Sequence, residues 1–376
     1  MHLHRSGIVL IVLFFFSIAP VYAQGSAAEL IAELKSGDST RCMNASNATS
    51  EHQESYQEMA AELAPALFEI LEKGPCSDNA LSALVNLGHG IAEGISAEVA
   101  IPILVRTIER GLESSGPHER LWNAGSAALV TGHFGAKAGE AVPVLSRWIL
   151  EAPDFSHRRY GLDAVARIGD PAAAVVPALL DSLAPPAEDD EKAWEKNEFR
   201  VEIVRAFGSI PAAVAHSGPA LVAALRSEDS TFSYVAAESL STIGPGVVPY
   251  LVPVLSDPAA EPRAQALRIL GGMGPAAADA SAAIAPLIAD QDWTVTYEAG
   301  EALRQIGPTA EGIAALSGIA GNAENEDAAR AAAEILGGYG SAAKEALPAL
   351  RRAAAGKNWL VADAAKQAIA AIESGE

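Results

Sequence analysis

Ala302-Leu303-Arg304-Gln305-Ile306-Gly307 sets aliphatic side chains at i, i+1 and i+4 just ahead of a glycine. On a helix these positions share one face. Glycine is the residue best able to end a helix in left-handed backbone. The same phrase returns as Ala164-Val165-Ala166-Arg167-Ile168-Gly169, Ile203-Val204-Arg205-Ala206-Phe207-Gly208 and Ser239-Leu240-Ser241-Thr242-Ile243-Gly244. Looser copies end at Phe134-Gly135, Met273-Gly274 and Tyr339-Gly340, and the steps between these glycines are 34, 39, 36, 30, 33 and 33 residues. An early copy, Ala83-Leu84-Val85-Asn86-Leu87-Gly88, is offset by a longer gap, and a last one, Ala368-Ile369-Ala370-Ala371-Ile372, lacks the glycine.

A second phrase follows the glycines, a proline leading an aliphatic run. It reads Pro102-Ile103-Leu104, Pro143-Val144-Leu145, Pro177-Ala178-Leu179, Pro219-Ala220-Leu221 and Pro348-Ala349-Leu350. Proline is tolerated in the first helical turn, where its missing N–H has no intrahelical partner to lose. The pattern therefore predicts a repeated hairpin: helix A, a glycine turn, then helix B. Neither helix buries its stripe alone, so the hairpins must stack. About eight to nine fit between Tyr56 and Ile372. The 39-residue step coincides with the acidic stretch Ala184–Asn197, expected as a longer exposed loop, and Gly111–His118 lengthens an earlier connection.

These "ALxxIG" ends and "PxL" starts resemble the HEAT-repeat superfamily, particularly the short HEAT-like repeats named after phycobilisome lyases, and they cover roughly 300 residues. The resemblance implies an all-α, right-handed α-solenoid (a superhelix) with helix B of each repeat on the concave face. It implies no single function, because the same repeats serve enzymes, adaptors and transport scaffolds. The lyase kinship would suggest a tetrapyrrole activity, but no lone reactive cysteine stands in the repeats. The HEAT-like deoxyhypusine hydroxylases build a di-iron centre from several His-Glu dipeptides. Here there is one, His118-Glu119.

Composition narrows the function classes. Half of the 376 residues are apolar and only 6% aromatic, so alanine and aliphatics dominate, as suits helices. Against 26 Lys and Arg stand 47 Asp and Glu, a formal charge of −21, which disfavours nucleic acid and anionic lipid as partners. At the N-terminus, His2, His4 and Arg5 precede the apolar run Ile8–Ile18, Pro20 breaks it, and Val21-Tyr22-Ala23 offers a cut between Ala23 and Gln24. That order predicts a signal peptide over residues 1–23 and an exported chain, periplasmic or extracellular. No later segment reads as an integral membrane span. Residues 24–55 read as a polar segment and linker, and 56–376 as the repeat array. In an oxidising compartment Cys42 and Cys76 favour a disulfide over two free thiols. Asn44-Ala45-Ser46 and Asn47-Ala48-Thr49 fit the glycosylation pattern, but the Ala- and Gly-rich style points to a bacterial chain, and they stay unassigned.

Catalytic chemistry is not visible. The histidines past residue 23 (His52, His89, His118, His133, His157 and His216) contain no i, i+4 pair, and neither a nucleophile elbow nor a phosphate loop occurs. His89 and His133 sit at A-helix ends and suit C-terminal capping, or a paired site on one rim. No catalytic, cofactor-binding or metal residue is assigned, and no cofactor is expected. The expected function is a non-enzymatic interaction scaffold for a protein or peptide partner. The alternatives are a metal-dependent HEAT-like enzyme and a self-associating structural component. Candidate partner-binding residues are Arg106, Arg110, Arg147, Trp148, Tyr250 and Arg351 on B helices or their ends, with the basic pair Arg158 and Arg159. Trp148 reads equally well as inter-repeat core.

Overall fold

The computed structural model describes residues 26–113, 118–187, 189–322 and 324–375. The expected signal peptide and its cut at Ala23 and Gln24 lie outside them. The chain divides into two compact units, Met1–Ile103 and Leu104–Glu376. Among the described residues every regular element is helical, and consecutive helices pair into stacked hairpins, so the fold is an all-α solenoid of HEAT-like repeats.

In the first unit lie α1 (Ala27–Lys35), α2 (Ser39–Glu51), α3 (Gln53–Glu58), α4 (Ala60–Lys73), α5 (Ser77–Leu87) and the short α6 (Ile91–Gly94). The unit boundary falls within α7 (Ala97–Leu112). The stretch 24–55, expected as a polar linker, instead supplies two helices. Ser26 forms a capping box with Glu29 at the start of α1, and the Asp38 carboxylate accepts from Arg41 N at 2.9 Å at the start of α2. The α2 sequence is polar, yet Cys42, Ala45, Ser46, Ala48 and Thr49 are buried, because small side chains let helices approach closely. Asn86 Nδ2 on α5 donates to Thr49 Oγ1 at 2.9 Å, and Arg41 clasps the Glu33 carboxylate with two bonds of 2.7 Å. Cys42 and Cys76 are disulfide-bonded across 34 residues, with Cα atoms 6.2 Å apart. The B-type phrase also recurs as Pro65-Ala66-Leu67 inside α4.

In the second unit the even-numbered helices are of type A: α8 (His118–Gly132), α10 (Phe155–Ile168), α12 (Ala193–Gly208), α14 (Ser230–Ile243), α16 (Ala260–Gly272), α18 (Trp293–Ile306), α20 (Glu326–Gly338) and α22 (Trp359–Ser374). The odd-numbered ones are of type B: α9 (Val142–Glu151), α11 (Val176–Leu179), α13 (Val214–Leu225), α15 (Val248–Leu251), α17 (Ser281–Ile284), α19 (Ala310–Ala320) and α21 (Leu347–Ala354). Three B segments are short and continue as 3-10 turns, Leu180–Leu183 after α11, Val252–Ser256 after α15 and Ala285–Ala289 after α17. Pro253 and Pro286 contribute to this, since each removes a backbone donor.

The phrase-ending glycines have positive φ, for instance 78° at Gly244 and 85° at Gly307. Gly208 is the exception. It remains inside α12, and its job is close approach: a Cβ there would lie 2.9 Å from Ser239 Cα on α14. A Cβ at Gly132 on α8, Gly271 on α16 or Gly337 on α20 would come equally near Ala164, Ala302 or Ala368 Cα, at 2.9, 3.0 and 3.0 Å. The A helices are thus drawn together in pairs: α8 with α10, α12 with α14, α16 with α18, and α20 with α22. The period of the packing is two hairpins, although the sequence phrase repeats every one. Across the junction between α18 and α20 the Tyr339 hydroxyl donates to Leu303 O at 2.7 Å, and burial pushes that phenol up to about 12.

By length and composition Ser230–Ser256 would suffice to cross a bilayer, which the sequence reading did not anticipate. Gly244, at a φ of 78°, ends α14 within this run, and α14 packs on the preceding α13.

Three stability predictions rest on these features. Replacing Cys42 and Cys76 by serine should remove about 3–4 kcal/mol by the loop-closure model, read as a lower urea midpoint for the first unit. Gly244→Ala meets nothing within 4 Å, so only its backbone is strained, at about 1 kcal/mol. Gly271→Val collides with the α18 backbone and should lower stability by about 2–3 kcal/mol, measured the same way.

Candidate partner-binding surfaces

The eight candidate side chains do not form one patch. Arg106 and Arg110 are exposed one turn apart on α7. Arg147 is exposed on α9 and lies along its own helix, 3.4 Å from Glu151. Arg351 on α21 is exposed and pairs with Glu373 on α22 at 2.9 Å. Arg159 is exposed beside a shallow depression also lined by Phe155, Glu198 and Glu202.

Three candidates have structural duties instead. Trp148 is fully buried and must be withdrawn as a docking residue. Its Nε1 donates to His157 O at 2.7 Å, its ring meets the His157 ring edge-on at 6.2 Å, and Gly111 and Gly161 leave room for it. A large apolar ring with one satisfied donor belongs in the interior. Arg158 is half-buried; its Nε donates to Ala152 O at 2.7 Å and its guanidinium lies 5.6 Å from the Phe199 ring centre. Tyr250 is half-buried, with its ring against Gly218, where a Cβ would come within 2.9 Å.

The donation made by Arg158 is a recurring device. Arg200 Nε on α12 donates to Leu183 O at 2.8 Å, Arg263 Nη1 on α16 to Asp257 O at 2.8 Å, and Thr296 Oγ1 on α18 to Asp290 O at 3.1 Å. Each ties an A helix to the last carbonyls of the preceding B segment, which no intrahelical donor satisfies.

Sequence reasoning missed the exposed aromatics. Trp122, Trp194, Tyr234, Trp293, Tyr297 and Trp359 all stand in the first two turns of even-numbered helices. Trp293 is 77% exposed and Trp359 74%, although each directly follows a capping residue, Asp292 or Asn358, and could have been located from that. Aromatic rings are over-represented where interfaces form. Between α14 and α16, which belong to different pairs, opens a cleft of about 880 Å³. Tyr234, Glu238, Ser241, Glu261, Gln265 and Arg268 line it. Arg268 is held across the floor by Glu298 at 2.8 Å and by Glu261 at 3.5 Å, and the Glu298 bond keeps its guanidinium above the ordinary arginine range.

Among the described residues, no three His, Cys, Asp or Glu side chains converge as a metal site would require. His118 and Glu119 have side chains outside the described set. His133 Nδ1 lies 3.1 Å from Arg167 Nη1 on the neighbouring A helix. Asp163 on α10 has its carboxyl raised by burial.

With this geometry in hand, comparison with known proteins is direct. Residues 248–337 match the family model described as HEAT repeats, so this stretch carries HEAT repeats; the match does not single out the phycobilisome-lyase type. No curated protein matches the chain. Among solved structures the chain is similar to an engineered protein at 20% identity and a TM-score of 0.46, covering 93% of this chain and 99% of that one. It is similar to a mutant of Kap121p at 13% identity and 0.45, covering 92% of this chain and 41% of that one. A chain from work on the interaction between cadherin and β-catenin aligns at 14% and 0.45, covering 94% and 84%. At these identities and scores no activity or partner passes from them to this chain.

The two fates of neighbouring residues on α9 are separable by mutation. Trp148→Ala should lower stability by about 3–5 kcal/mol, as for other buried tryptophans. Arg147→Ala, at an exposed pair, should change it by less than about 0.5 kcal/mol in the same denaturation experiment.

Proposed function

We propose that the protein is an exported, non-enzymatic scaffold that holds a protein or peptide partner along the N-terminal ends of its even-numbered helices. The observation that carries this reading is the set of exposed tryptophans and tyrosines in the first turns of α8, α12, α14, α18 and α22. Exposed to solvent, these rings are not part of the hairpin core, and large rings of this type are the usual anchors of an interface. Solenoids offer such side chains to extended partners. Export is supported by the order of residues 1–23 and by the bonded pair Cys42 and Cys76, since disulfides persist in oxidising compartments.

The test is retention of a partner from the exported fraction by three forms of the tagged chain. Replacing Trp194, Trp293, Tyr297 and Trp359 together by serine should weaken retention about tenfold or more. Such exposed substitutions should leave the melting temperature nearly unchanged. Charge reversal of Arg106, Arg110 and Arg147 should retain the partner. The opposite pattern, loss with the arginine variant alone, would move the docking face to the B helices. The secreted chain should begin at Gln24 by N-terminal sequencing; a start at Met1 would remove export from the reading.

A further inference from the structure

A second cleft, of about 480 Å³, lies on the B side between the turn Leu180–Leu183 and α13. Its walls are apolar, from Leu180, Leu183, Pro219, Ala220, Ala223 and Phe232, with His216 exposed at the rim. Arg200 lines the same space and is only 9% exposed. Its Nε and Nη1 are used, on Leu183 O and on Asn197 Oδ1, both at 2.8 Å. The guanidinium faces the Phe232 ring at 4.3 Å.

What this cation lacks, among the described residues, is a bonded carboxylate. The acid that acts on it through space is Asp229, whose Oδ1 caps α14, accepting from Thr231 N at 3.0 Å and Phe232 N at 3.1 Å. The chain itself supplies the comparison. Arg263 occupies the same place on α16 that Arg200 has on α12, and also donates to the end of the preceding B segment, through Nη1 where Arg200 uses Nε. Arg263 Nη2 is met at 2.7 Å by Asp290, which stands two residues before the cap of the next A helix. The residue two before the cap of α14 is Ser227, and it too lines the cleft. Ser227 and Asp290 are equivalent in backbone terms: each accepts, through its side-chain oxygen, from the backbone N–H two residues on. One repeat closes over its buried arginine with an internal carboxylate. The other has a hydroxyl there and an open apolar cleft above.

A buried guanidinium without a bonded counter-charge is costly, and a carboxylate is the group its fork fits best. We infer that this cleft binds a small aliphatic carboxylic acid, its carboxylate taking the place at Arg200 that Asp290 takes at Arg263 and its chain lying on Leu180, Leu183 and Phe232. The volume is that of an ordinary small-molecule site. The net negative charge of the chain works against anion approach at long range, so affinity comes from the short-range bond and the apolar wall.

Octanoate, with octanol as its uncharged counterpart, is the probe, titrated by calorimetry into the full chain. Octanoate should bind at one site and octanol about tenfold or more weaker, as expected when a charge-assisted bond is lost. Ser227→Asp recreates the Asp290 arrangement; it should raise the melting temperature and weaken octanoate about tenfold or more. Arg200→Met also removes the bond to Leu183 O, so the serine variant, which keeps that bond, is the decisive one. Absence of octanoate binding, equal binding of octanol, or undiminished binding by Ser227→Asp would each overturn the inference.

Discussion

No hairpin in this chain can cover its own apolar faces. Leu240 and Ile243 on α14, or Leu303 and Ile306 on α18, are buried only because neighbouring hairpins lie against them. Everything else depends on how neighbouring A helices meet. Where Gly208, Gly271 or Gly337 stands at the contact, backbones approach to a distance no side chain would allow. The pairing that results gives the array its two-hairpin period and leaves wider junctions between pairs.

One of those junctions opens a cleft. Between α14 and α16 the facing helices present hydroxyls, carboxylates and Tyr234 rather than a packed seam. Within the α12–α14 pair, on the B side, the space between the turn Leu180–Leu183 and α13 leaves Arg200 beneath an apolar wall without the bonded acid that Asp290 provides to its counterpart. The repeat is therefore uniform in its hairpin and individual at its junctions. This is the division expected of a scaffold whose stability is shared among repeats and whose recognition belongs to particular ones.

The hairpins were legible because their signals are local: apolar spacing, a glycine stop and a proline start act within a dozen residues. Residues 24–55 were not, since α2 is built from Cys42, Ala45, Ser46 and Thr49, whose burial comes from small size rather than apolar character. Gly208 resembled the other stops, yet it serves packing, because Ser209-Ile210-Pro211 makes the turn instead. Arg147 and Arg351 are exposed with intramolecular partners, whereas Arg158 is tied to Ala152 O. Trp148 stands at i+3 from Leu145 on the apolar stripe of α9, so spacing allowed a core place; its neighbours at Gly111, His157 and Gly161, on other elements, decided it.

The sequence by itself determined that this protein is a stack of helical hairpins, where each hairpin turns, and that its surface is strongly acidic. These are properties of short windows and of composition, settled before any two hairpins touch. The tertiary structure alone decided which A helices pair, which aromatic rings stay in solvent and which arginine is left without a bonded carboxylate. Each of these depends on the distance between elements some 30 residues apart, and a single methyl group or carboxylate at the junction is enough to change it.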